Sequence, residues 1–167
     1  KRARTVLEGE ESYDEDLWSQ VVEMGFTATA IPEEYGGLGL GYLELCVIAE
    51  ELGRSLAPTP FSSSVYLATE SILQFGADST KQAYLPSLAN GEKIGTFAHT
   101  ESGTSPTEAN ISCDFKDGSL TGSKIAVTDG DIADFYIVSA RSGSEIGLFL
   151  VESSTDGVEI ESQSTCL

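Results

Sequence analysis

The spacing of apolar residues changes once along the chain, at Asn90-Gly91. Before this point apolar residues recur three and four positions apart, as in amphipathic helices. After it they form short runs of branched and aromatic residues separated by turn dipeptides. Helices followed by strands are typical of an α+β architecture. The sequence therefore predicts a multi-domain protein, with an N-terminal all-α helical domain over residues 1–93 and an antiparallel, β-barrel-like domain over residues 94–167.

Four helices are predicted in the first domain. Ser12 and Glu15 have capping-box spacing at the start of the first one. The second is apolar on nearly all sides, so we expect it to be central. Between them, residues 31–41 are too rich in glycine for regular structure and too apolar for a linker, which predicts an ordered loop packed on the helices. The first three predicted helices span 12–24, 42–52 and 62–75, and the fourth is a short helix that is capped by Asp78 or Ser79 and contains Tyr84, Leu85 and Leu88.

Six short strands are predicted in the second domain. Asp117-Gly118 lies between two of them and is typical of a hairpin turn, and Asp129-Gly130 and Ser142-Gly143 indicate further turns. The predicted strands span 94–99, 111–116, 120–128, 135–140, 146–151 and 158–162.

Charge and composition exclude several classes of protein. The formal net charge is -18, which argues against a nucleic-acid partner because phosphate binding needs clustered cations. No stretch approaches the roughly 18 consecutive apolar residues of a membrane span. Cys46, Cys113 and Cys166 are too few and too scattered for a disulfide framework or a metal site. These features favour a soluble protein in the reduced cytoplasm.

Four local motifs are weak on inspection. Residues 36–41 are glycine-rich but lack GxGxxG spacing and a preceding strand, so close packing is the better interpretation than phosphate binding. Residues 129–134 resemble the start of a calcium loop, but Ala140 stands where the bidentate Glu belongs, which favours an acidic turn. Asn110-Ile111-Ser112 matches a glycosylation sequon without a secretory signal. His99, the single histidine, has no nucleophile elbow to accompany it.

Four segments, read together, resemble the acyl-CoA dehydrogenase family in their order and spacing. They are IPEEYGGLGL, FGADSTKQAYLPSLANGEKIGTFAHTES, GSKIAVTDGDIAD and GLFLVE. The resemblance implies a helical N-terminal domain and a middle β-barrel domain, followed in the family by a C-terminal four-helix domain. It also implies FAD between the middle and C-terminal domains. A carboxylate base then removes the α-proton of an acyl-CoA while the β-hydride goes to the flavin.

The resemblance places the family's two flavin segments on residues 97–106 and 122–129. In this correspondence Thr100 faces the pyrimidine edge of the flavin and Thr128 reaches its N5 atom, while Pro106 is the substrate contact. Ser105-Pro106 replaces the family's Gly-Ser, and Ala126 replaces a tryptophan that shields the flavin, a contact worth about 1–3 kcal/mol. The implied FAD contacts are Phe97, His99, Thr100, Ser105, Ala126, Val127 and Thr128.

The resemblance stops within or just past the β domain, so we expect the catalytic base to lie outside this chain and the chain alone to be inactive. Lys116, Lys124 and Arg141 are too few to hold the FAD pyrophosphate. The implied partners are an acyl-CoA substrate, an electron-acceptor protein and further subunits of a homo- or hetero-oligomer. The leading hypothesis is part of an FAD-dependent acyl-CoA dehydrogenase. The alternatives are a flavin-degenerate structural subunit of a heteromeric dehydrogenase and an acyl-CoA oxidase.

Overall fold

The computed structural model of the protein describes residues 2–9, 11–101 and 107–162. The chain divides into two compact units, Lys1–Ile94 and Gly95–Leu167. The first is helical and the second contains the sheet, and each is described by itself.

Five α-helices, one π-helix and a short 3₁₀-helix, Glu33–Tyr35, make up the helical structure described in the first unit. All four predicted helices are present, and an additional N-terminal helix was not predicted. The π-helix Ser62–Thr69 continues directly into α4. The α-helices are α1 Arg2–Glu8, α2 Glu15–Glu23, α3 Tyr42–Ser55, α4 Glu70–Phe75 and α5 Asp78–Ala89. The core of the unit is built from buried side chains that include Trp18, Val21, Ile31, Val65, Ile72, Leu85 and Leu88.

Two expectations for these helices were wrong in detail. Asp14, and not Ser12, caps α2, because its carboxylate accepts a hydrogen bond of 2.8 Å from the Leu17 amide. Helix α3 is not central: Leu45 is buried, whereas Leu43 is 75% exposed and Val47 is 59% exposed. A helix that is apolar all round can bury only the faces that have neighbours, and within this unit α3 packs mainly through one side.

The glycine-rich loop is ordered, as predicted. Its backbone folds back on the preceding segment through hydrogen bonds from Leu38 to the Ala28 carbonyl and from Gly39 to the Ile31 carbonyl, both 2.9 Å. A Cβ atom at Gly37 would lie 1.8 Å from the Ile31 carbonyl oxygen. Glycine is therefore required at this position by the close approach of two backbone segments.

One long strand organises the sheet of the second unit. Strand β4 pairs antiparallel with β5 along its whole length, and its opposite edge pairs in parallel with β1 and, through Arg141, with Asp114 of β2. Strands β2 and β3 form the predicted hairpin, with Asp117 and Gly118 both at positive φ. The strands are β1 Gly95–Ala98, β2 Asp114–Lys116, β3 Ser119–Thr121, β4 Phe135–Ser142 and β5 Glu145–Glu152.

The expectation of an antiparallel, barrel-like domain was therefore only partly right. The strands described here form an open, mixed sheet, because β1 and β2 both run parallel to β4. Hairpin signals report only strands that are neighbours in sequence, whereas the pairing of β1 with β4 spans more than thirty residues. The predicted strand over 120–128 ends at Thr121, and the described residues near the predicted strand 158–162 contain no strand.

Candidate functional site

The segment that ends β1 lies directly beside residues 124–128. The Ile125 amide donates a hydrogen bond of 2.8 Å to the Thr100 carbonyl, and the Thr96 hydroxyl donates one of 2.6 Å to the Thr128 carbonyl. Residue 100 is thus opposite 125 and residue 96 opposite 128, so the two segments run in opposite directions. The structure brings together the two stretches for which the sequence implied flavin contacts.

Two threonine hydroxyls are available at this junction. Thr100 is half-buried and Thr128 is exposed. The hydrogen bonds that join the two residues to the opposite segment are accepted by their carbonyl oxygens. Neither hydroxyl has a hydrogen-bond partner within the described part of the chain. Position 128 is three residue steps from position 125, which corresponds to at most roughly 10 Å of chain. The Thr100 and Thr128 hydroxyls can therefore donate hydrogen bonds to two well-separated atoms of one ligand.

Aromatic and apolar residues flank these threonines in the sequence. The Phe97 and His99 rings lie with their centroids 5.8 Å apart and are tilted by 34°. Val127 packs against a small buried cluster of Ala98, Ala133 and Tyr136. This packing fixes the base of the 124–128 segment on the sheet.

Ala126 lies between these contacts with an exposed side chain and a φ of 51°. This left-handed conformation costs a residue with a Cβ atom about 1–2 kcal/mol. Sequence reasoning treated residues 120–128 as a strand and therefore did not anticipate the bend. The small exposed side chain leaves the surface beside Thr128 open.

Two of the implied contact residues, Ser105 and Pro106, lie outside the residues that the structure describes. The other implied contacts all belong to the second unit and to the two adjacent segments.

A buried ion pair lies next to the junction. The Lys124 ammonium is 2.7 Å from the Glu101 carboxylate, and each side chain is only 8% exposed. Lys124 also donates to the His99 carbonyl and to the Ser139 hydroxyl, both at 3.3 Å. All three ammonium hydrogens therefore have partners.

Glu101 accepts hydrogen bonds at both carboxylate oxygens. The amides of Ser112 and Cys113 donate at 2.9 and 3.0 Å, and the Ser112 hydroxyl also donates. Burial raises the pKa of the Glu101 carboxyl, but its bonds with Lys124, Ser112 and Cys113 outweigh this and lower the pKa to about 2. Glu101 is thus a structural anion and is not suited to act as a proton acceptor at neutral pH.

The His99 ring is 2.9 Å from the Ser139 hydroxyl through Nδ1. Ser139 is only 1% exposed, and the Lys124 ammonium faces the same oxygen. A buried hydroxyl cannot reach a substrate carbonyl, so this contact favours a structural role and gives no support to hydrolysis.

The basic residues of this unit have little capacity for a pyrophosphate. Lys124 is paired with Glu101, and the Arg141 guanidinium donates to the carbonyls of Ile111 and Glu108 at 3.2 and 2.9 Å. Lys116 is exposed. A dinucleotide bound here would need cations from elsewhere in the assembly.

Within residues 2–9, 11–101 and 107–162, no group of three or more His, Cys, Asp or Glu side chains is arranged to hold a metal ion. The same residues include no helix with the length and apolarity needed to cross a membrane.

The hydrogen-bond donors at the junction suit the acceptor atoms along the polar edge of a flavin ring. Two threonine hydroxyls without partners among the described residues lie on segments joined by hydrogen bonds. Donors of this kind can satisfy ring carbonyl and nitrogen atoms. Sequence reasoning identified these threonines but missed the Glu101–Lys124 pair. The signal for that pair was two opposite charges, one in each of the two segments.

Comparisons with known proteins identify the family of the chain. The family model "Acyl-CoA dehydrogenase, N-terminal domain" matches residues 1–92. Acyl-CoA dehydrogenase FadE27 of Mycobacterium tuberculosis is 32% identical over 158 residues, which are 93% of this chain and 42% of that protein. The chain thus spans less than half the length of this curated relative.

Two solved structures have the same fold. The ChsE4-ChsE5 complex from Mycobacterium tuberculosis matches with a TM-score of 0.85 and 31% identity, over 97% of this chain and 44% of the other. A glutaryl-CoA dehydrogenase from Mycobacterium smegmatis in complex with FADH2 matches with a TM-score of 0.77 and 26% identity, over 93% and 45%. The family match over more than half of the sequence, together with these likenesses, shows that the chain belongs to the acyl-CoA dehydrogenase family.

Proposed function

We propose that this chain forms the N-terminal and part of the middle region of an FAD-dependent acyl-CoA dehydrogenase, the enzyme class that introduces an α,β double bond into an acyl-CoA thioester. In this proposal the chain shapes part of the acyl-CoA pocket and covers one side of the flavin. The catalytic base and the cations for the FAD pyrophosphate come from the rest of the enzyme. The chain alone is inactive.

One observation carries the proposal: the side-by-side placement of residues 96–101 and 124–128, each with a threonine hydroxyl open to a ligand. The sequence resemblance named these stretches separately, some twenty residues apart. The FADH2 in the glutaryl-CoA dehydrogenase relative supports the choice of cofactor.

The contribution of this chain is to bind and orient the flavin. Bound flavin supplies the two-electron acceptor for the hydride from the substrate. The Thr100 hydroxyl would donate to the pyrimidine edge, where negative charge develops on reduction, and would so stabilise the reduced ring more than the oxidised ring. Thr128 would donate a second hydrogen bond from the neighbouring segment, which Val127 holds against the sheet.

A flavin-degenerate structural subunit is the second candidate function. It is favoured by Ala126, whose small exposed side chain stands where the resemblance places a shielding tryptophan. It is also favoured by the similarity to a complex named for two components, ChsE4 and ChsE5. In this case the chain would support a partner subunit that holds the flavin.

The proposed partners are an acyl-CoA, an electron-acceptor protein and further subunits of an oligomer. A cytoplasmic location stays a prediction from composition.

The deciding experiment uses the natural full-length protein that contains this sequence, purified with any co-expressed partner. Visible flavin absorbance that bleaches anaerobically on addition of an acyl-CoA is the result expected for a dehydrogenase. Rapid return of the colour with oxygen alone would indicate the oxidase instead. A folded, colourless protein that added FAD does not restore would support the structural subunit.

A further inference from the structure

The Glu101–Lys124 ion pair joins four separate parts of the second unit. Lys124 bonds to Glu101, to the His99 carbonyl and to Ser139 of β4, while Glu101 bonds to the amides of Ser112 and Cys113. The pair therefore connects the end of β1, the approach to β2, the 124–128 segment and β4.

The position of the pair in sequence is as important as its contacts. Glu101 directly follows Thr100, and Lys124 directly precedes Ile125. The hydrogen bond between Ile125 and Thr100, 2.8 Å long, lies between the two charged residues. The ion pair thus brackets the contact that joins the two proposed flavin segments.

Stability alone is a weak reason for such a pair. Replacing a buried ion pair by well-packed apolar residues is often neutral or stabilising, because removing two charges from water is costly. The best supported benefit of buried charges is that they select one arrangement of the chain over others. Here the arrangement selected is the register of residues 96–101 against residues 124–128.

We propose that Glu101 and Lys124 are positioning residues that hold Thr100 in place for the flavin, and so set the affinity for FAD and the reduction potential of the bound ring. The inference rests on the proposed function. Neither side chain touches the cofactor in this proposal. Their effect passes through the Thr100 hydroxyl and through the backbone between Lys124 and Thr128.

The test is the double variant E101Q/K124M in the natural full-length protein with its partners. It removes both charges together, so no unpaired charge stays buried, and the carboxamide that E101Q introduces keeps an oxygen for one of the amides of Ser112 and Cys113. The readouts are the dissociation constant for FAD and the midpoint potential of bound flavin, measured well below the unfolding temperature. The control is E50Q/R54M, which removes an exposed ion pair of 3.0 Å in α3.

The proposal predicts that FAD binds on the order of 10- to 100-fold more weakly to E101Q/K124M, the range that is seen when residues supporting the ligands of a metal site are replaced. It also predicts a more negative midpoint potential, with both quantities unchanged in the control. Unchanged affinity and potential in a folded E101Q/K124M protein would overturn the proposal and leave the proposed function intact. A wild-type protein that binds no FAD would overturn both.

A milder variant covers the case in which the double variant does not fold. Ser112 is exposed, and its hydroxyl is one of four donors to Glu101. S112A should fold and should shift affinity and potential in the same directions by a smaller factor. If S112A binds FAD as the wild type does and with the same potential, the positioning role is rejected.

Discussion

At the scale of single residues, Thr100 is the side chain most directly tied to the proposed chemistry. Its hydroxyl has no partner within the described residues, while its carbonyl is fixed by Ile125. Thr100→Val keeps the shape and removes the donor, so reduced flavin should lose more stabilisation than oxidised flavin. We expect a more negative midpoint potential with unchanged protein stability. Thr121→Val, at an exposed strand position, is the matched control. Equal potentials for Thr100→Val and wild type would remove Thr100 from the flavin site.

Lys124 gives a prediction about stability. Lys124→Met alone leaves the Glu101 carboxylate buried without its cation, which typically costs about 3–5 kcal/mol. The exposed cation Arg54 is the control, because surface ion pairs contribute only about 0–1 kcal/mol. Urea unfolding followed by circular dichroism should show a large loss for Lys124→Met and almost none for Arg54→Met. Similar midpoints for the two variants would mean that the buried pair contributes little.

Glu101 also predicts a pH dependence. Its carboxyl has a pKa of about 2 when folded, against 4.5 as the ordinary value, so the unfolded chain binds more protons between these values. The stabilisation from Glu101 is therefore complete above pH 4.5 and is lost as the pH falls towards 2. The other carboxylates titrate as well, so the comparison is between wild type and Glu101→Gln. Their difference in stability should shrink from pH 5 to pH 3, and a constant difference would contradict the assignment.

At the scale of elements, the glycine-rich loop makes a contrasting prediction for two alanine substitutions. At Gly37 a Cβ atom would overlap the Ile31 carbonyl, whereas at Gly53 in α3 it would meet no atom within 4 Å. Gly37→Ala should destabilise the protein by at least about 1–3 kcal/mol. Gly53→Ala should stabilise it by roughly 0.5–1 kcal/mol. Thermal unfolding of both variants checks this, and a neutral Gly37→Ala would show that the loop is not closely packed.

The elements also show which parts of the structure the sequence could predict. Local signals located α2, the β2–β3 hairpin and the ordered loop, because periodicity and turn residues act over a few positions. The local signals did not predict features that depend on contacts between residues far apart in the sequence. The exposure of α3 depends on which neighbours it has, and the parallel pairing of β1 with β4 joins remote residues.

Local sequence motifs likewise predicted part of the candidate site, but not the contacts between distant residues. The Thr100 and Thr128 segments were recognised from motif order, but nothing local in the sequence paired Glu101 with Lys124. The bend at Ala126 was also missed, since a positive φ is unusual for alanine.

For the whole molecule, we expect the chain to contribute one part of a larger flavoenzyme. Family membership is shown, and the chain spans 42% of the length of its mycobacterial relative. The net charge of -18 and the paired state of Lys124 and Arg141 mean that the anionic pyrophosphate must find its cations elsewhere. We therefore expect FAD binding by the full-length assembly and none by residues 1–167 alone, measured by FAD titration of each. Equal affinity in both would place the whole site within this chain.

A crystal structure of the natural full-length protein with FAD would test directly whether these two segments contact the flavin. We expect the flavin ring beside residues 96–101 and 124–128, with the Thr100 hydroxyl about 2.7–3.2 Å from a ring heteroatom. A flavin bound away from both segments, or a subunit that holds none while its partner does, would contradict this expectation.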